Sequence, residues 1–322
     1  MKYLFFDIEC AVVFKNVAKI CAFGYCLTDE QFNIIEKNDI LINPQGKFHL
    51  TDRKGRIGLV LPYEYGEFKN YPIFPKVVKK IRAMLQDADT LVVGHATQND
   101  VKYLNLETQR YNLSSFEFEY ADTQFLYMNV KNDFTRQFGL GSIVENLGVE
   151  FVAHKAVDDA YATMRVAQEL CRAEGLTLAQ MLKKYEITNG RIADYQITSC
   201  GSTAHTEYVN EVARKKEERE KNRAKLHIFI DREKRKRNKK GGLLFNKTVC
   251  LSHIVEDEFE RSKKLAKFII ANGAFITGKA EECDLYVYAD GENGLRMKSA
   301  KDKGARLMTA TEIEEFLQKS EV

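Results

Sequence analysis

Lys2-Tyr3-Leu4-Phe5-Phe6-Asp7-Ile8-Glu9 opens the chain as an apolar run that ends in two carboxylates. A strand turns successive side chains to opposite faces, so Asp7 and Glu9 project from the same face, side by side at a sheet edge. Two like charges so close are costly unless a cation or a solvated rim relieves them. On its own such a pair is most often a surface feature. Working outward, KICAFGYCLTD and NIIEKNDILIN read as two further strands, which with the first make an antiparallel meander. FPKVVKKIRAMLQD places Val77, Val78, Ile81, Met84 and Leu85 on one helical face. TLVVGH reads as a short buried strand, NDVKYLNLETQRYNL as the helix after it, and FEFEYADT as another strand. SIVENLG and DDAYATMRVAQELCRAEG complete the series as helices. Alternating strands and helices of this kind specify an α/β domain, a mixed sheet with flanking helices.

The 322 residues favour two domains over one. With 44% hydrophobic residues the chain has material for real cores, which excludes a wholly disordered protein. No stretch approaches the roughly 18 uninterrupted apolar residues of a membrane helix. Asp7 and Glu9 come too early for a signal peptide's apolar region. Cys10, Cys21, Cys26, Cys171, Cys200, Cys250 and Cys283 form no CxxC pair, so neither a disulfide scaffold nor a zinc site is expected, and they fit a reducing cytoplasm.

The formal charge of +3 hides its distribution. Between Val212 and Lys240 lie fourteen Lys/Arg and five Asp/Glu, a local net of +9 against −6 for the remainder. This stretch reads as a charged, partly helical linker, either a solvated spacer or an arm that tracks phosphates. Beyond it, KTVCLSHIV, a helix, GAFIT, DLYVYAD, KSAKDKGA, RLMT and TEIEEFLQK give a compact β-α-β-β-α-β-α order. The expected division is a domain over 1–175, a basic linker over 176–245 and a small domain over 246–322. Residues 44–72 read as an excursion from the sheet. Its Tyr63, Tyr65, Phe68 and Tyr71, interleaved with Arg53, Lys54 and Arg56, would either stack single-stranded bases or pack on the sheet.

Two more constellations carry chemistry. Gly94-His95-Ala96-Thr97-Gln98-Asn99-Asp100 runs from a buried strand into a helix, and His154-Lys155-Ala156-Val157-Asp158-Asp159 opens another helix. An Asp in a helix's first turn is commonplace, because the macrodipole stabilises it. His154 alone would be a surface or capping residue.

Together, FFDIE, VVGHATQND followed by VKYL, and the five-residue step from His154 to Asp159 resemble the DEDDh 3′–5′ exonucleases over residues 1 to about 173. This superfamily includes the DNA polymerase proofreading subunit and oligoribonuclease. Asp122-Thr123 after a strand and LGSIVENLGVEF before the third motif are supporting matches. The resemblance implies an RNase H-like exonuclease fold, DNA polymerase III epsilon-like, using two Mg²⁺ or Mn²⁺ ions. It implies Asp7, Glu9 and Asp159 as ligands of the first metal, Asp7 also bridging to the second, and Asp100 completing the second metal's shell. His154 would deprotonate the attacking water, and Asp158 lies one residue off the family spacing. The physical logic agrees, since four carboxylates without thiolates suit a hard cation. Two such ions roughly 4 Å apart can stabilise both attacking and leaving oxygens. Cys10 stands where the family often has Thr, Ala96 replaces Asn and Asn99 replaces Phe. None of these removes a ligand or the base, but all touch the substrate groove.

Residues 246–322 resemble a BRCT domain of the bacterial DNA ligase type through NKTVCLSH, LAKFIIANGAFIT, AEECDLYVYAD and KSAKDKGARLMTATEIEEFL. Phe316 stands where many members carry Trp, and Ser252-His253 where Thr-Gly is usual. The resemblance implies a protein or DNA-end partner, and some relatives bind phosphate with residues placed like Ser252 and Arg296 or Lys298. Three readings follow. The first is a DNA 3′–5′ exonuclease acting on single-stranded or frayed 3′ ends in proofreading or repair. The second is an exonuclease of RNA or short oligoribonucleotides, separable only by contacts to the 2′-OH. The third is a scaffold that tethers nucleic acid or a partner, marked by steep salt-dependent binding.

Overall fold

The computed structural model describes residues 1–48, 61–148, 153–238 and 240–318. They fall into two compact units, Met1–Tyr208 and Val209–Val322. In the first, β1 (Lys2–Phe14), β2 (Val17–Thr28) and β3 (Ile34–Leu41) form the expected antiparallel meander. Helix α1 (Phe74–Leu85) leads to β4 (Thr90–Gly94), α2 (Gln98–Arg110), β5 (Phe118–Asp122) and α3 (Thr123–Lys131). Then come α4 (Leu140–Leu147), α5 (Ala156–Glu174), α6 (Leu178–Lys184) and four short strands. These are β6 (Ile187–Thr188), β7 (Gly190–Ala193), β8 (Gln196–Thr198) and β9 (Gly201–Ser202). The seven-stranded sheet runs β3-β2-β1-β4-β5-β7-β8, with β4 and β5 parallel to β1 and each remaining strand antiparallel to its inner neighbour. β6 and β9 pair separately.

Alternation along β1 divides the core. Tyr3 and Phe5 bury among α3, α4, α5 and α6, including Leu126, Ile143, Met164 and Met181. Leu4, Phe6 and Ile8 bury on the opposite face with Phe74, Ile81, Val101 and Leu104 of α1 and α2. Both faces being covered, β1 reads as an unbroken apolar run until its first carboxylate.

Helix α7 (Thr203–Glu233) is one helix of 31 residues. The second unit continues with β10 (Thr248–Leu251), α8 (His253–Asp257), α9 (Phe259–Ala271), β11 (Phe275–Thr277) and β12 (Leu285–Tyr288). It ends with α10 (Leu295–Asp302), β13 (Arg306–Thr309) and α11 (Ala310–Gln318). Its four strands are all parallel, in the order β11-β10-β12-β13.

The span 176–245, expected as a linker, is thus built into folded structure. β7 and β8 extend the main sheet, and Tyr120 of β5 donates from its hydroxyl to Thr198 O at 3.0 Å. Within the second unit, Leu226 and Ile230 of α7 are buried with Val249, Leu265 and Ile313. Arg223 pairs with Asp257 at 2.6 Å, and Asn222 Nδ2 donates to Asp257 O. Such a helix is hard to see in sequence because its apolar positions are outnumbered by charges, several of which pair along the helix, as in Glu217–Lys221. Ser252 Oγ accepts from Val255 N as the cap of α8, and Arg296 donates to Gly278 O at 2.6 Å. Ser252 Oγ and Arg296 Nη2, expected as phosphate ligands, thus have partners within the unit. Of the 44–72 excursion, Arg53, Lys54 and Arg56 lie outside the described residues, while Phe68 is buried and Phe48, Tyr63, Tyr65 and Tyr71 pack around it. The aromatic set therefore packs on itself and the sheet rather than standing open for bases.

The docking of α7 predicts unequal costs for neighbouring substitutions. Leu226→Ala is expected to destabilise by about 2–5 kcal/mol in a chemical denaturation, and exposed Lys225→Ala by less than about 0.5. Equal effects would contradict this packing.

Candidate active site

Because Tyr3 and Phe5 face the α3–α6 layer, strand alternation turns Asp7 and Glu9 to the same face. Immediately after Glu9 the pairing with β2 slips, at Glu9/Cys10 and again at Cys10/Val12. Bulges re-aim side chains and are common beside active sites. Cys21 Sγ donates to Glu9 O at 3.3 Å inside this irregular stretch.

The partner of Asp7 across the sheet is Gly24 of β2, and the partner of Gly24 on β3 is Asp39. A Cβ on Gly24 would lie 2.0 Å from Ala156 C and 2.1 Å from Val157 N. The first turn of α5 therefore rests directly on bare strand backbone, which only glycine permits. That contact brings Asp159, 8% exposed, to the carboxylates of β1. His154 N donates to Asp159 Oδ2 at 2.8 Å, with His154 in the left-handed region at φ 67°. Its Nδ1 lies 4.0 Å from Glu9 Oε1, and its side chain is half exposed. Ligand atoms of Glu9, His154 and Asp159 all lie within 4.8 Å of one another.

Asp100 arrives from the other layer. Asp122, at the end of β5, accepts from Ala96 N (3.0 Å), Thr97 N (2.9 Å) and Gln124 N (2.8 Å). One buried carboxylate thus folds the β4–α2 turn and caps α3. Ala96 takes the left-handed conformation in that turn, φ 54°, a region in which Asn is enriched. His95 Nε2 donates to Phe138 O at 2.9 Å and its Nδ1 lies 2.9 Å from Thr123 Oγ1, so this histidine is structural. Asp100 follows in the first turn of α2, 5% exposed, and accepts from the Ile8 N–H between Asp7 and Glu9.

Electrostatics tie the five residues together. Burial pushes the Asp7 carboxyl well above the usual range, and the charges of Asp159 and Asp39 push it further. Burial likewise raises Asp100, with Asp7 and Glu9 adding to it. Glu9 is pushed up to about 9 by burial and then by Asp7, and Asp159 to about 7, mainly by burial. Burial lowers His154, which keeps its imidazole neutral and able to accept a proton near neutral pH. Asp158 pairs instead with Lys37 at 3.4 Å and Lys155 at 3.7 Å, away from the cluster. Gly24, Asp39 and Asp122's hinge role escape sequence reasoning. A glycine inside the strand KICAFGYCLT was the one available signal of close backbone approach. Buried carboxylates that repel one another fit a hard divalent cation, which would let them ionise together. Asp7, Glu9, Asp100 and Asp159 are the oxygens that would hold it.

The raised values fix a direction. Acids raised above their unfolded values, about 4, favour folding when protonated. Without a cation, stability is complete below about pH 4 and is lost as pH rises through about 7 and then about 9. In chelator, melting temperature should fall from pH 5 to 9, and Mn²⁺ should raise it most at the alkaline end; a flat profile would contradict the cluster. Gly24→Ala should cost about 1–3 kcal/mol by overpacking against α5, read by denaturation.

Residues 4–167 match the RNase_T family, described as Exonuclease. No curated protein matches the chain. Among solved structures it is similar to a 3′-exonuclease studied for 3′-end specific recognition of a histone mRNA stem-loop. That pair shares 14% identity over 63% of this chain and 91% of the other, with a TM-score of 0.49. It is also similar to exonuclease I, at 18% identity over 57% of this chain and 43% of that one, TM-score 0.45. E. coli exonuclease I in complex with a dA16 oligonucleotide gives 18% identity, 57% and 42% coverage and a TM-score of 0.44. The chain spans less than half the length of those exonuclease I chains. On the match across residues 4–167, the chain belongs to the RNase_T exonuclease family.

Proposed function

We propose that this chain is a metal-dependent 3′–5′ exonuclease that hydrolyses phosphodiester bonds at DNA 3′ ends and releases nucleoside 5′-monophosphates. The observation that carries this reading is the meeting of Glu9, His154 and Asp159 within 4.8 Å, with Asp7 and Asp100 coupled to the same cluster. Asp7, Glu9, Asp100 and Asp159 would hold Mg²⁺ or Mn²⁺, which when bound neutralises charge on the attacking and leaving oxygens. His154, neutral and half exposed, takes the proton of the water that attacks phosphorus as the bond to the 3′ oxygen breaks. The Asp159 carboxylate fixes the His154 main chain, so base and carboxylate move as one unit.

Proofreading or repair in the cytoplasm, in the manner of polymerase III epsilon, is the role we assign. Among the described residues no helix is long and apolar enough to cross a membrane. For residues 246–322 we keep the BRCT-like reading, with a protein or DNA-end partner. Its support is the small unit of four parallel strands with helices between them.

The test uses 3′-labelled single strands with Mn²⁺. Wild type should release the label as mononucleotide, and Asp7→Ala should be slower by at least about a thousandfold, since metal and nucleophile are lost together. His154→Ala should lose about 10²–10⁴-fold and flatten the pH profile near neutrality. Equal slow release by wild type and Asp7→Ala would sink the assignment. Rates on matched RNA strands decide between DNA and RNA as substrate.

A further inference from the structure

Tyr63 belongs to the aromatic set that sequence reading offered to nucleic-acid bases, yet its hydroxyl is fully engaged inside the protein. It accepts from Ala156 N at 2.9 Å and donates to Asp39 Oδ2 at 3.1 Å. Ala156 is the first residue of α5, whose preceding residues make no side-chain cap. The start of a helix leaves its first N–H groups without partners, and here a tyrosine from a distant segment satisfies one of them. Asp39 also faces the Val157 N–H, and Lys155 lowers its cost as a buried charge. Asp39 stands in one cross-strand row with Gly24 and Asp7. The same two residues, Ala156 and Val157, are those pressed against Gly24.

We propose that Tyr63 and Asp39 form a positioning pair that holds the first turn of α5 on Gly24, and thereby sets Asp159 and His154 against the carboxylates of β1. Gly24 makes room for the helix start but cannot retain it. The hydroxyl and carboxylate supply the retention, from the segment around residues 61–72 and from β3. Neither group reaches the reacting atoms; the pair acts through α5, beside the direct repulsion of Asp39 on Asp7 and Glu9. The proposal rests on the reading of the carboxylate cluster as a metal-dependent nuclease site.

Tyr63→Phe tests it, because the ring keeps its edge contact with Phe68, centroids 5.7 Å apart, and only the hydroxyl is lost. Losing that buried partner should weaken Mn²⁺ binding about tenfold, titrated without nucleic acid, and lower kcat about tenfold with KM within about twofold. Tyr65→Phe is the control. Among the described residues its hydroxyl bonds Leu61 N and O, four residues away. It should leave Mn²⁺ affinity and kcat unchanged. Asp39→Leu should resemble Tyr63→Phe, and the double variant should be no worse than either single one, as coupled residues require. Mn²⁺ affinity at wild-type level in Tyr63→Phe, an equal loss in Tyr65→Phe, or additive losses in the double variant would each overturn the pair. A wild type that binds Mn²⁺ but degrades no nucleic acid refutes the nuclease reading alone, because the metal titration still judges the pair. A wild type that binds no Mn²⁺ overturns both.

Discussion

The close approach of α5 to the bare backbone of Gly24 is the constraint on which the rest of the first unit depends. Helices normally sit on sheets through side chains. Here the main chain of Ala156 and Val157 lies where a Cβ would otherwise be. Everything that makes the site follows from that depth. Asp159 is carried into the sheet's own layer, beside Asp7 and Glu9, and the residues before the helix must turn sharply to enter it. The left-handed His154 and its N–H on Asp159 are the local form of that turn.

The same packing explains why the cluster is electrostatically uncomfortable. Four carboxylates are drawn from β1, α2 and α5 into a space that excludes water from them, and each is raised by burial before any neighbour is counted. The turn that carries Asp100 is itself well satisfied. Asp122 spends its two oxygens on three backbone N–H groups, and His95 is held by both nitrogens. The mutual repulsion of the four carboxylates is the demand a cation can answer.

Much of this was legible in the chain. The meander, the α1–β4–α2–β5 series and the element order of the second unit are written in period-2 and period-3.6 patterns of apolar residues. Asp7, Glu9, Asp100, His154 and Asp159 stood out by residue type at strand and helix ends. What was not legible depends on partners far apart in sequence. Gly24 looks like any strand glycine until α5 arrives, and Asp39 like a surface acid until Tyr63 covers it. The short strands β7 and β8 escaped because Asp194 and Tyr195 both turn left-handed between them and leave too few residues for a period to show. α7 escaped because a charge run says solvent, whereas only Leu226 and Ile230 say core.

One consequence concerns how the sequence can change. Along β1 the odd positions from Tyr3 to Glu9 face one layer and the even positions from Leu4 to Ile8 face the other. A residue inserted or deleted between Tyr3 and Asp7 would exchange the two sets, driving both carboxylates into the packing of α1 and α2 and turning Ile8 toward α5. Point substitutions can erode this strand one contact at a time, but a frame of one residue is absolute. The opening stretch should therefore tolerate a conservative apolar exchange far better than any change of length.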